Sequence, residues 1–246
     1  MSSVRIYRNK PGGLRLTSFT VKVKESDLWI AVSSGDYSSK LPEQVEQLVF
    51  NRRNILEEYL AKNPFLKTTL EPSLVEDNAP VLFKAMAAAA NKAGVGPMAA
   101  VAGAFAEMVG LYLQDVSSEV IVENGGDIFI KAVKPLNVGI YAGKSPLSGE
   151  IAIKIDPDQT PLGVCTSSGT IGPSLSFGRA DAAIALSPSV PLADAVATAM
   201  GNRVRGVDDL EAAINYARTI EDITGALLIC QDKIAAWGDL ELVRTC

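Results

Sequence analysis

The spacing of apolar residues changes along the chain, and each change predicts a different element. From Val4 to Ser34 the run LTSFTVKV alternates apolar and polar residues and LWIAV is continuously apolar, which predicts β structure. Between Leu41 and Leu60 the apolar residues share one helical stripe, so an amphipathic helix is expected there. Asn63-Pro64 should end that helix, and residues 67–78 are predicted to form a loop.

The second half of the pattern begins with two alanine-rich helices, predicted over Val81 to Ala93 and Pro97 to Gln114. Val120 to Ala132 then has the composition of a strand interrupted by two glycines. Further strands are expected near residues 137–142, 150–155, 161–166 and 181–186, helices near 191–203 and 208–218, and a final hairpin turning at Gln231-Asp232. Because no Pro/Ser/Gly-rich linker divides these elements, they predict one α+β domain over residues 1–246.

Composition and charge narrow the classes of partner. The chain is 48% hydrophobic and 21% charged, as globular proteins are, and its net charge is −5 with the lysines and arginines scattered. This argues against a nucleic-acid or anionic-membrane partner. The longest apolar-rich run, residues 97–113, is interrupted by Glu107 and is shorter than the roughly 20 residues of a membrane span, so a buried helix is expected. With no apolar signal segment near residue 1, a cytoplasmic location is predicted.

The sequence contains no histidine, which removes every mechanism that uses imidazole as base, acid or metal ligand. The three cysteines, Cys165, Cys230 and Cys246, are too few for a four-thiolate zinc site and suit a reducing compartment. Cys165 has no histidine to activate it as a nucleophile. We expect it to be buried as a small hydrophobic residue.

The first candidate motif is Glu123-Asn124-Gly125-Gly126-Asp127, which falls inside a strand pattern. Two glycines there predict a bulge, or a place where a ligand approaches the backbone closely while the flanking Glu, Asn and Asp supply oxygen atoms. The alternative is a simple bend whose acidic neighbours face water.

The second motif, residues 165–170, places four hydroxyl groups and a glycine directly after an apolar run. Backbone N–H groups and hydroxyls in such a loop can bind a phosphate, although the lysine and spacing of a P-loop are missing. The alternative is an ordinary Ser/Thr-rich turn.

The third motif pairs Asp194 with Thr198, four residues apart near the start of a predicted helix. A carboxylate and a hydroxyl on one helical face are hard oxygen ligands of the kind that Mg²⁺ accepts. The alternatives are that Asp194 complements the helix dipole and that Thr198 bonds a carbonyl one turn back.

Taken together and in this order, the three motifs resemble the ApbE family of FAD:protein FMN transferases. The matching runs are GGDI (residues 125–128), TSSG (166–169) and DAVATAMG (194–201), with the small-residue run VAGAFAE upstream. The resemblance covers roughly residues 80–205. Over its whole length the chain is still more similar to a cytoplasmic branch of the same superfamily, in which the runs VGPMAAVAGA, VENGGDIF and CTSSGT recur.

This resemblance implies an α+β fold of the tunnelling type, in which an antiparallel sheet is backed by helices. It also implies that FAD or FMN binds together with Mg²⁺ and that FMN is passed to a threonine or serine of a target protein. By the same resemblance, Asp194 and Thr198 would bind Mg²⁺. The flavin nucleotide would lie against Asn124, Gly125, Gly126, Asp127, Thr166, Ser167, Ser168, Gly169 and Thr170.

The chain departs from the transferases at two positions. The transferases carry a motif of the type His-Ile-Asp-Pro between the Thr-Ser-Gly and Asp-Ala segments, whereas Ile155-Asp156-Pro157 precedes the Thr-Ser-Ser-Gly segment here. Ala102-Gly103 stands where the transferases usually have Lys-Gly. The departures bear on the transfer chemistry more than on the binding scaffold. Unlike those enzymes, which are commonly exported, this chain shows no export signal.

Three functions therefore stay open, and the first of them has a small-molecule nucleotide as its predicted partner. The first is an Mg²⁺-dependent enzyme acting on a flavin nucleotide or similar pyrophosphate compound, as an FMN transferase or an FAD hydrolase. The second is a related enzyme on another small substrate, or a flavin-binding protein without transferase activity. The third is a structural homo-oligomer that keeps only the fold.

Overall fold

The computed structural model describes residues 15–169 and 178–245. Within them the chain forms strands β1 (Leu16–Val23), β2 (Ser26–Ser33), β3 (Val120–Asn124), β4 (Asp127–Lys131), β5 (Leu136–Gly139), β6 (Ile151–Ile155), β7 (Leu162–Ser167), β8 (Ala182–Ser187), β9 (Gly225–Cys230), β10 (Lys233–Gly238) and β11 (Glu241–Arg244). The described helices are α1 (Leu41–Lys62), α2 (Pro64–Thr68), α3 (Val81–Lys92), α4 (Val101–Leu113), α5 (Val190–Arg203) and α6 (Leu210–Arg218). The predicted α+β architecture, an antiparallel sheet backed by helices, is confirmed.

The large sheet is built from two similar halves. Its order is β1-β2-β3-β4-β7-β8-β9-β10, and every neighbouring pair is antiparallel. In each half two paired strands are followed by helices and then by two more paired strands: α1 to α4 connect β2 to β3, and α5 and α6 connect β8 to β9. The halves meet at a seam, the pairing of β4 with β7, which runs from Asp127 opposite Cys165 to Ile130 opposite Leu162.

The helices cover one face of this sheet and form the larger core. Because side chains alternate along a strand, one set of strand residues, such as Val122, Phe129 and Cys165, faces the helices. Gly110 allows α4 to lie directly on the Phe129 ring, since a Cβ at that position would overlap the ring. A layer of small and branched residues therefore holds α4 and α5 close to the seam between the halves.

The opposite face of the second half is covered by a small sheet of order β11-β6-β5. Its Ile153 and Ile155 pack with Ile184 and Ile229 of the large sheet in a second, separate core. This small sheet consists of an insertion between the halves and the last strand of the described chain. Among the residues described, the small sheet does not contact the face of the large sheet on which α4 and α5 lie.

Several predicted boundaries are confirmed and three are corrected. The first helix extends to Lys62, and Pro64 then starts the short α2, so the predicted loop begins inside a helix. The predicted helix over Pro97 to Gln114 is divided into a 3₁₀ turn, Pro97–Ala100, and α4. The predicted strand over Val120 to Ala132 is two strands of a hairpin, because the glycines reverse the chain.

No single described helix is both long enough and apolar enough to cross a membrane. The pair Val81–Lys92 and Pro97–Leu113 passes the criteria of length and composition together, with a bend of 105° between its parts.

Candidate functional site

The Gly-Gly segment is a two-residue hairpin turn, so its interpretation as a bulge is wrong. Gly125 and Gly126 have φ values of 73° and 114°, which side chains other than glycine rarely adopt. Asn124 and Asp127 face each other directly across the turn, and the Glu123 Oε1 atom accepts a hydrogen bond of 2.9 Å from the Gly126 N–H. Since residues opposite each other share a face of the sheet, the turn sends Asn124 and Asp127 to the same side.

That side is the start of α4, where both side chains are buried. The Asn124 side-chain amide donates a hydrogen bond of 3.0 Å to the Ala102 carbonyl. The Cys165 thiol and the Thr166 backbone N–H lie close to the Asp127 carboxyl group, and both favour its charged form. Its Oδ1 atom, however, is buried without a hydrogen-bond partner among the described residues. A buried carboxylate oxygen without a partner is costly, and it marks a place where a proton or a ligand is needed.

Asp194 of α5 also ends at the start of α4. Its Oδ2 atom accepts a hydrogen bond of 2.8 Å from the Gly103 N–H, and the Ala102 N–H contributes a second. These N–H groups have no partner within α4 because they belong to its first turn, where the helix dipole also favours negative charge. Asp194 therefore complements the dipole of a neighbouring helix, rather than only that of its own.

The two buried carboxyl groups interact electrostatically. Burial raises the pKa of Asp194 to about 7, although its hydrogen bonds with the Gly103 and Ala102 amides oppose the shift. Burial, followed by the nearby charge of Asp194, raises the pKa of Asp127 well above its usual range. In the described part of the chain, no lysine or arginine forms an ion pair with either group. The two carboxyl groups therefore hold a proton more tightly than exposed aspartates do, and a cation could take the place of that proton.

The Thr-Ser-Ser-Gly segment lies next to this carboxyl pair. The Thr166 N–H bonds the Gly126 carbonyl at 3.2 Å, and a Cβ placed on Gly201 of α5 would lie 3.6 Å from the Ser167 hydroxyl. Ser168 follows, and the Gly169 N–H donates to the Ala180 carbonyl at 2.9 Å. The structure thus brings together Asn124, Gly125, Gly126, Asp127, Thr166, Ser167 and Asp194. Thr170 lies outside the described residues.

Thr198 lies one helical turn beyond Asp194 and is half-buried, so the two residues lie on the same face of α5, as the sequence predicts. Within residues 15–169 and 178–245, no three Asp, Glu, Cys or His side chains converge as a ready-made metal site. The assignment of Asp194 and Thr198 as Mg²⁺ ligands stays a prediction.

The expectation for Cys165 is confirmed, since its side chain is fully buried. Burial, and then the charges of Asp127 and Asp194, raise the pKa of its thiol well above the usual range. A thiol that resists ionisation is a poor nucleophile. Cys165 instead lies 3.4 Å from the Val190 carbonyl oxygen and acts as a hydrogen-bond donor between strand and helix.

Sequence reasoning did not assign a role to Gly103 or to Glu107, which complete the site. A Cβ on Gly103 would lie 2.7 Å from the Val190 carbonyl oxygen and 2.8 Å from the Asp194 Cβ. Glu107 accepts a hydrogen bond of 2.9 Å from the Val190 N–H, and burial raises its pKa. The signal for Glu107 was its position as the one charged residue in the apolar run 97–113.

Two open depressions of about 410 and 380 Å³ lie elsewhere, along α1. They are lined by residues such as Glu43, Gln47 and Tyr112 and share no residue with the candidate site. Their walls contain no buried polar atom that lacks a partner. The site at the seam is therefore the better candidate.

Comparisons with known proteins agree with this fold. A family model described as AbpE bacteria matches residues 9–241. The UPF0280 protein of Methanocella arvoryzae is 46% identical over 198 residues, which cover 80% of each chain. The UPF0280 protein of Methanocaldococcus jannaschii is 40% identical over 229 residues, which cover 91% of each chain.

Solved structures share the fold at low sequence identity. The apbe protein of Thermotoga maritima has a TM-score of 0.60 at 12% identity, covering 89% of this chain and 96% of that one. The apo form of the flavinyl transferase ApbE of Pseudomonas stutzeri has a TM-score of 0.56 at 14% identity, covering 91% and 94%. The chain therefore belongs to the AbpE bacteria family, in the branch of the ApbE-like superfamily that includes the UPF0280 proteins.

Proposed function

We propose that the protein binds a flavin dinucleotide together with Mg²⁺ at the seam between its halves and catalyses the attack of water on the pyrophosphate of that ligand, which breaks one P–O bond and releases FMN and AMP. The observation that carries the proposal is the pair of buried carboxyl groups, Asp127 and Asp194, of which Asp127 presents an oxygen without a partner. Hard carboxylate oxygens are ligands that Mg²⁺ prefers. The fold, shared with flavinyl transferases, supports the flavin as the ligand class.

Each element of the site has a role in this proposal. Asp194, with Thr198 one turn later, would hold the cation from α5, and the Asp127 Oδ1 atom would face it from the hairpin turn. The backbone and hydroxyl groups of Thr166, Ser167 and Ser168 would contact the phosphates, as polar loops at anion sites do. When bound, Mg²⁺ neutralises charge that develops on the phosphate oxygens during cleavage.

The acidic residues of the site explain why binding of a pyrophosphate would need a cation. Glu123, Asp127 and Asp194 give the site a negative character, which by itself repels a pyrophosphate. The Asp127 and Asp194 carboxylates would hold a divalent cation, whose positive charge would offset this repulsion. Binding of the nucleotide should therefore depend strictly on Mg²⁺.

The test is to incubate pure protein with FAD, with and without Mg²⁺, and to separate FMN and AMP by chromatography. Thermal melting with FAD, FMN and ADP, each with and without Mg²⁺, measures binding independently of turnover. We expect FAD and Mg²⁺ together to raise the melting temperature and to yield AMP. Asp194→Asn and Asp127→Asn should each weaken the Mg²⁺-dependent effect by roughly tenfold or more.

Asp158→Asn is the matched control, since Asp158 is exposed on a distant turn and loses the same formal charge. Stabilisation without AMP release would identify a flavin-binding protein without transfer chemistry. The absence of both Mg²⁺-dependent stabilisation and AMP would refute the proposal.

A further inference from the structure

Helices α4 and α5 cross with their backbones in direct contact beside the carboxyl pair. The contact is possible because position 103 is a glycine, whose missing Cβ would lie 2.7 Å from the Val190 carbonyl oxygen. Val190 is the first residue of α5, and Gly103 lies in the first turn of α4. The N-terminal turns of the two helices therefore meet at one point.

At this crossing each helix supplies a carboxylate to the N-terminus of the other. Glu107 of α4 accepts from the Val190 N–H at 2.9 Å, and Asp194 of α5 accepts from the Gly103 N–H at 2.8 Å. Both acceptors satisfy N–H groups that have no partner within their own helix. Since α5 has no side-chain cap of its own from Ser189, Glu107 takes that role from another helix.

The Val190 peptide is held from its other sides as well. Its carbonyl oxygen lies 3.4 Å from the Cys165 sulfur, and its Cα would lie 2.8 Å from a Cβ on Gly163 of β7. Strand β7 therefore packs against the first residue of α5, and Glu107 hydrogen-bonds the backbone of that same residue. Asp194 follows Val190 by one helical turn, so a displacement of Val190 moves the Asp194 carboxylate too.

The geometry points to Glu107 as a positioning residue, which holds the first turn of α5 so that the Asp194 carboxylate is presented to a divalent cation. Glu107 itself lies one turn beyond Gly103 and bonds α5 rather than the cation. The role of the cation here rests on the proposed function, whereas the positioning of Asp194 by Glu107 rests on the hydrogen bonds alone.

The test compares Glu107→Ala with Glu107→Gln in the full-length protein. Glutamine keeps an oxygen that can accept from the Val190 N–H, whereas alanine leaves that N–H without an acceptor. Mn²⁺ binding, measured by electron paramagnetic resonance well below the melting temperature, should weaken about tenfold in Glu107→Ala and return to within about threefold of wild type in Glu107→Gln. Hydrogen exchange of the Gly103 amide, which reports its bond to Asp194, should accelerate in Glu107→Ala alone.

Glu119→Ala is the control for general destabilisation. Glu119 is buried and accepts a hydrogen bond of 3.1 Å from the Val133 N–H. It lies just before the first residue of β3, whereas the candidate site lies at the last residue of that strand. It should leave Mn²⁺ binding and Gly103 exchange unchanged. Equal losses in Glu119→Ala, or a Glu107→Ala variant that binds Mn²⁺ and protects Gly103 as wild type does, would overturn the inference. If wild type itself binds no Mn²⁺, the proposed function fails, and Gly103 exchange still decides whether Glu107 positions Asp194.

Discussion

The free energy of unfolding of the ligand-free protein is expected to fall as the pH rises from about 4 to about 8, by about 3 to 4 kcal/mol from Asp194 alone. Asp194 has a pKa of about 7 in the folded protein, raised by burial, whereas an unfolded aspartate titrates near pH 3.9 or so. Between these two values the folded state keeps a proton that the unfolded state has lost. Stability is therefore highest below the unfolded pKa and declines until the pH passes the folded pKa.

Asp127 reinforces this trend, because burial and the charge of Asp194 raise its pKa as well. Urea denaturation across this pH range measures the slope, and Asp194→Asn should remove the part of it that Asp194 contributes. Asp158→Asn changes the same formal charge at an exposed position and should leave the slope as it is. If Mg²⁺ binds the pair, saturating Mg²⁺ should restore stability at the alkaline end more than at the acidic end. A wild-type protein equally stable at both ends contradicts the prediction.

The second large effect is expected for Gly178→Ala, which should lower the free energy of unfolding by about 3 kcal/mol or more. A Cβ on Gly178 would overlap the Gly201 carbonyl oxygen, at the last turn of α5, and lie 3.0 Å from the Val204 carbonyl oxygen. Neither backbone can yield easily, since the neighbouring Arg179 N–H bonds the Val204 carbonyl at 2.7 Å. Equilibrium urea denaturation with the wild type alongside gives the difference directly.

Gly206→Ala is the matched control for this substitution. Gly206 has extended backbone angles, and no heavy atom lies within 4 Å of its added Cβ. Alanine there should change stability by less than about 1 kcal/mol, in the stabilising direction, because it restricts the unfolded chain. Similar losses in both variants would show that the close contact at Gly178 is unimportant.

The order of strands and helices could be predicted from the sequence because its periodicities are long and distinct. Leu41 to Leu60 has a helical stripe, and the C-terminal hairpin turns at Gln231-Asp232 as expected. The Gly-Gly hairpin was missed because Val120 to Ala132 is apolar on both sides of the glycines, which resembles one interrupted strand. Two glycines between apolar runs are also the signal of a two-residue turn, and their positive φ values decide for it.

The candidate site could be predicted only in part, because its residues are joined by tertiary contacts. Spacing within α5 related Asp194 to Thr198, and the resemblance to the transferases assigned Asp127 to the same site. Nothing in the sequence indicated that Asp194 bonds α4 or that Glu107 bonds α5, since 91 and 83 residues separate the partners. Such reciprocal contacts depend on how two helices cross on the sheet, which residue periodicity does not encode.

The duplicated order of the large sheet has a consequence for cooperativity. Asp127 belongs to the first half and Asp194 to the second, while β4 and β7 pair through four residue positions. A ligand held by both carboxylates would thus be a noncovalent cross-link between the two halves. Its binding free energy would add to the α4–α5 hydrogen bonds that already join the halves, so the ligand should make the unfolding of the two halves more cooperative.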